Sequence, residues 1–153
     1  METDLPFLQR CLQLAREAAL AGEVPIGALV VREGEILGAA RNRCEERKTP
    51  LAHAEMLALD HAFARVGEGR IPGAVLYCSL EPCFMCTGAA LHARVERIVF
   101  STRDPKFGAC GSLANLPTDE RLNHRCSVTE GMLADASAEL LKTFFRRLRG
   151  DES

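Results

Sequence analysis

The chain has 153 residues, 47% hydrophobic and 26% charged, with a formal net charge of −2. That balance suits one globular domain spanning 1–153 and excludes a strongly basic, non-specific nucleic-acid binder, though not a local basic patch. No apolar run reaches the roughly 20 residues of a membrane-crossing helix. Seven cysteines, an odd number, and first residues that do not read as a secretory signal point to the reducing cytoplasm, where cysteines serve as metal ligands or core residues.

Leu5, Leu8, Cys11 or Leu12, Ala15 and Ala18 or Ala19 recur at helical spacing, so a first helix is expected to about Ala21, with Asp4 or Thr3 as its cap. Pro25 breaks the chain. The apolar run 26–31, the Glu33-Gly34 turn and the run 35–40 then read as a hairpin. Arg41-Asn42-Arg43 closes it, with Asn42 a turn residue on local grounds. The polar stretch 44–50 reads as a loop, and a second helix runs from His53 to about Val66. A glycine-rich linker, 67–73, leads to a buried strand at 74–79, then a helix to His92 and a strand at 97–101. Residues 102–124, with two glycines and two prolines, form a long irregular segment of the kind that is usually functional. A brief strand at 127–129 and an amphipathic helix at about 132–149 complete the chain. The pattern is α/β.

Chemistry concentrates in Leu80-Glu81-Pro82-Cys83-Phe84-Met85-Cys86 and, upstream, His53-Ala54-Glu55. Cys83 and Cys86 are spaced to share one helix face, and Pro82 suits the first helical turn. At that end the helix dipole favours thiolates, which bind zinc. With His53 there are three protein ligands and one open position, the mark of a catalytic rather than a structural site. Glu55 is then a carboxylate beside the metal but not bound to it, able to move protons. The H-x-E and P-C-x-x-C pair is the signature of zinc-dependent nucleobase deaminases. Cys11 and Cys78 read as core residues, and His61 as a packing or surface residue.

Further segments narrow the class. Glu23-Val24-Pro25-Ile26-Gly27-Ala28, Ala40-Arg41-Asn42-Arg43, Ala52-His53-Ala54-Glu55, Gly108-Ala109-Cys110-Gly111-Ser112-Leu113, Asn123-His124-Arg125 and Phe144-Phe145, together with the cysteine motif, resemble the bacterial tRNA-specific adenosine deaminases of the cytidine deaminase superfamily. The resemblance runs in order from about residue 4 to residue 149. It implies a three-layer α/β/α sandwich with a five-stranded mixed sheet, and one Zn2+ per subunit on His53, Cys83 and Cys86. It implies a homodimer that converts the wobble adenosine of a tRNA anticodon, with an arginine tRNA as the expected substrate, to inosine. Glu55 matches the proton shuttle and Asn42 the residue that hydrogen-bonds the flipped base. Val24, Pro25, Ile26 and Ala54 match the substrate-flanking positions. Arg103, Asp104 and Lys106 match an anticodon-contacting loop, and Phe144, Phe145 and Arg146 a further RNA-contacting helix. Leu51 departs from the usual threonine and so lacks a capping hydroxyl. Pro105, Phe107 and the stretch 116–121 also depart from the family pattern.

The expected reaction is hydrolytic: a metal-activated water attacks C6 of adenine, while Glu55 protonates N1 and then the departing ammonia. Two other readings carry the same zinc signature. One is a deaminase of a free base or nucleoside, guanine or cytosine. The other is a non-catalytic, zinc-containing RNA-binding subunit, against which Glu55 speaks, since a structural site has no use for that carboxylate.

Overall fold

The computed structural model describes residues 2–150. Its strands are β1 (Gly27–Arg32), β2 (Glu35–Arg41), β3 (Val75–Leu80), β4 (Arg97–Thr102) and β5 (Ser127–Glu130). Its α-helices are α1 (Leu5–Leu20), α2 (Cys44–Arg47), α3 (Ala54–Val66), α4 (Phe84–His92) and α5 (Ala134–Leu148). The five strands form one mixed sheet in the order β2-β1-β3-β4-β5. β1 runs antiparallel to β2 and β3, whereas β3, β4 and β5 are parallel neighbours. Parallel neighbours need crossover connections. α4 supplies the first, and the irregular segment before β5 supplies the second.

Strand alternation sorts the apolar side chains onto two faces. Ala28 and Val30, Leu76 and Cys78, and Ile98 and Phe100 meet Leu57, Ala58 and Ala62 of α3 and Ala90 and Leu91 of α4. Leu29 and Val31, Tyr77 and Val99 meet Leu8, Cys11 and Leu14 of α1, with Met132 and Leu133 at the approach to α5. The result is the three-layer α/β/α sandwich. Cys11 and Cys78 are core residues, as expected.

The hairpin turn is two residues long, and Glu33 and Gly34 both take positive φ, matching the strand twist. α3 lies so close on β2 that a Cβ on Gly38 would stand 2.0 Å from the Ala58 carbonyl oxygen.

Two expectations need correcting here. Asp4 precedes α1, but its side chain makes no cap. The carboxylate is buried and instead accepts Tyr77 Oη–H at 2.7 Å and the Arg97 guanidinium at 2.7 and 2.9 Å. Those bonds tie the start of α1 to β3 and β4, and the Arg97 guanidinium leads in holding the Asp4 carboxyl down at about 2. The stretch 44–50 contains the helical turn α2, whose N–H groups at Glu45 and Glu46 donate to the buried Glu23 carboxylate at 2.9 and 2.8 Å.

Candidate active site

The site forms where the helices after β2 and β3 begin. β3 ends at Leu80, and α4 starts at Phe84 with Cys83 as its N-cap; α3 starts at Ala54 with His53 as its N-cap. Pro82 thus stands before the helix and not in its first turn, and position 51 is not the cap of α3. The Thr49 hydroxyl instead accepts Leu51 N–H at 3.1 Å. Two ligand candidates therefore occupy equivalent places on two helices, with both positive dipole ends facing the same point.

His53 Nδ1 lies 3.3 Å from Cys86 Sγ and 3.5 Å from Cys83 Sγ. All three donor atoms fall within 4.8 Å of one another. Metal–sulfur and metal–nitrogen bonds at zinc-like lengths set a tetrahedron edge of about 3.5 Å between sulfur and nitrogen. The three side chains therefore already span one face of such a tetrahedron and can hold a metal ion.

The electrostatics suit that role. A hydrogen bond from Cys86, joined by His53, holds the Cys83 thiol down at about 4 against the effect of burial. Cys86 retains the proton of the pair and is pushed up. The Cys83 sulfur raises His53. Glu55, in the first turn of α3, is 4% exposed, and its buried Oε1 has no hydrogen-bond partner among the described residues. Burial pushes its carboxyl up to about 7. An unpartnered buried carboxylate oxygen beside a metal-binding face is what a proton shuttle requires.

The structure brings Asn42 and Ile26 to the same edge. Asn42 N–H donates to the Ile26 carbonyl at 3.0 Å, and Arg43 N–H to that of Ala52, next to His53, at 3.0 Å. Asn42 is buried, and its Oδ1 accepts Cys44 N–H at 3.1 Å. It is thus the turn residue that local reasoning expected. Pro25 and Ala54 are buried, Val24 and Ile26 half-buried.

The 103–113 loop also reaches the site, since Cys83 and Gly108 form a bridge. Arg103 forks onto Glu130, with Nε and Nη2 donating at 2.8 and 3.1 Å. The Asp104 carboxylate accepts Lys106 N–H at 3.0 Å and Phe107 N–H at 3.3 Å, leaving Lys106 and Phe107 exposed. Phe144, Phe145 and Arg146 lie on α5, which packs against α1, β3 and β4, on the far face of the sheet from α3 and α4. The two phenyl rings meet edge to face at 5.4 Å, and Phe144 lines a groove between α1 and α5. Sequence reasoning gave Glu23 and Glu81 no role. Both are buried carboxylates with chain segments folded onto them, and their position directly before Val24-Pro25 and before Pro82-Cys83 was the available signal.

This fold and this donor set define a deaminase. The profile of the MafB19-like deaminase family matches residues 3–149, and the chain belongs to that family. The tRNA-specific adenosine deaminase of Bacillus subtilis is 44% identical over 149 residues, which cover 97% of this chain and 92% of the relative. A solved structure from studies of A-to-I editing by tRNA:A34 deaminases at the wobble position of transfer RNA superposes with a TM-score of 0.85 at 38% identity, covering 89% of this chain and 99% of the other. A guanine deaminase from Nitrosomonas europaea superposes with a TM-score of 0.77 at 28% identity, covering 90% and 82%.

Proposed function

We propose that this protein is a hydrolase that deaminates the wobble adenosine of a tRNA anticodon to inosine and releases ammonia. One observation carries the chemistry: the buried Glu55 carboxyl, whose Oε1 has no hydrogen-bond partner among the described residues, interacts with His53, Cys83 and Cys86, the three clustered donors. The tRNA assignment is supported by 44% identity, over nearly the whole chain, to a tRNA-specific adenosine deaminase.

Zinc, one per subunit, is the metal the site fits: one imidazole and two thiols, three of the four donors a tetrahedral ion takes. Held there, it supplies a nucleophile from water at neutral pH. Glu55 accepts a proton from the attacking water and delivers it to N1 of adenine, then takes the proton of the new C6 hydroxyl and passes it to the amino group, which leaves as ammonia as the C6 carbonyl forms. Asn42 hydrogen-bonds the flipped base. Its Oδ1 is taken by Cys44 N–H, so the amide nitrogen is the group offered. Val24, Pro25, Ile26 and Ala54 flank the purine and keep water from it. A target in an anticodon loop lowers the unstacking cost of bringing the base to the metal.

Arg103, Asp104 and Lys106 contact the anticodon. Phe144, Phe145 and Arg146 hold the splayed loop by stacking and phosphate contact. The active form is a cytoplasmic homodimer, and an arginine tRNA is the expected substrate. The test is an arginine tRNA transcript incubated with purified zinc-loaded protein and read as A-to-G after reverse transcription. Conversion at the wobble adenosine with other adenosines untouched is the expected result. No conversion by zinc-loaded protein overturns the reading and moves the assignment to a free base, guanine first, given the Nitrosomonas europaea neighbour.

A further inference from the structure

We propose that Glu81 is a positioning residue: it fixes where the 103–113 loop, with its RNA-contacting side chains, stands relative to Cys83. The RNA half of this inference rests on the proposed tRNA reading; the loop half does not.

Glu81 is 1% exposed, yet its carboxylate is saturated by one short stretch of chain. Oε1 accepts Asp104 N–H at 2.9 Å and the Ser112 hydroxyl. Oε2 accepts Cys110 N–H and Ser112 N–H, each at 3.0 Å. The loop is wrapped so tightly that a Cβ on Gly108 would stand 2.3 Å from the Glu81 carboxyl carbon. Backbone bonds on either side fix the register. Glu81 N–H donates to the Thr102 carbonyl at 2.9 Å and Ala109 N–H to that of Pro82 at 3.0 Å, while Cys83 bridges Gly108.

The consequence is geometric. Glu81 stands two residues before a metal ligand, and every bond its carboxylate makes here goes to the loop that carries Arg103, Asp104 and Lys106. One side chain thus couples the place where the base must react to the place where the RNA is gripped. A loop held in one arrangement before binding loses less freedom on binding. A neutral amide at position 81 would turn an N–H2 toward donors and leave some of them unpaired.

The experiment uses zinc-loaded Glu81→Gln protein and an anticodon stem-loop RNA. KM is expected to rise about tenfold, with kcat within about threefold of the parent. Amides of 104–112 are expected to exchange with deuterium at least about tenfold faster, with α3 still protected. Ser112→Ala removes one hydroxyl donor, so a smaller rise in KM in the same direction is expected. Should Glu81→Gln not fold, Ser112→Ala carries the test. Unchanged KM with unchanged loop exchange overturns the proposal. So does a fall in kcat at constant KM, which would put Glu81 in the chemistry, or loss of zinc, which would make it part of the metal site. If the parent protein leaves the stem-loop unedited, it is the tRNA reading that fails. Loop exchange then still decides whether Glu81 holds the loop.

Discussion

His53 and Cys83 are the N-cap residues of two different helices, and His53 Nδ1 stands 3.5 Å from Cys83 Sγ. Neither side chain caps its own helix. Each is turned toward the other, and Cys86, one turn into α4, completes the donor face.

Removing that third donor tests ligation. Cys86 is fully buried, so Cys86→Ala changes little surface but leaves one imidazole and one thiol. Zinc content, measured by plasma mass spectrometry after dialysis, is expected to fall from stoichiometric to near zero, with a lowered melting temperature. A fully loaded variant would reject Cys86 as a ligand.

Glu55 makes the opposite prediction. Glu55→Ala is expected to keep its zinc and to lose turnover by about 10³-fold or more, as removal of a general acid–base does. Single-turnover conversion of the stem-loop measures it. Activity near that of the parent would sink the assigned role.

Asp4 sets an acid limit on stability. Its folded-state carboxyl sits at about 2, below the ordinary 3.8, with Arg97 the leading cause. A depressed carboxyl stabilises the fold fully above its unfolded value, and that contribution is lost as pH falls from about 4 through about 2. It is worth about 2 kcal/mol. Urea unfolding of Asp4→Asn across that range is expected to be lower in stability at pH 6 and flatter toward acid than the parent. Parallel pH profiles would refute the linkage.

The approach of α3 to β2 leaves no room for a methyl group. Gly38→Ala would put a carbon 2.0 Å from the Ala58 carbonyl oxygen, and backbone must move. A loss of about 2–3 kcal/mol is expected, read as a lower urea midpoint at unchanged slope. An unchanged midpoint would show that the helix can shift freely.

The donor cluster of His53, Cys83 and Cys86 was legible in the sequence because each residue lies in a short motif whose spacing is a local property of a helix start. The strands and long helices were legible to within a residue or two, since periods of 2 and 3.6 report buried faces directly. α2 was not, because its N–H groups are satisfied by Glu23, 22 and 23 residues away. The irregular segment before β5 was legible only as irregular, since its order comes from Glu81, across 23 to 31 residues of chain. By itself, then, the sequence determined which side chains gather in the donor cluster and which form the core. Only the tertiary structure decided that Asp4 serves Tyr77 and Arg97 and not its helix, that His53 and Cys83 both sit at helix caps, and that a buried carboxylate organises the loop. Hydrogen bonds between distant segments leave no periodic trace in the chain. A buried carboxylate must still be satisfied by whatever the fold brings to it.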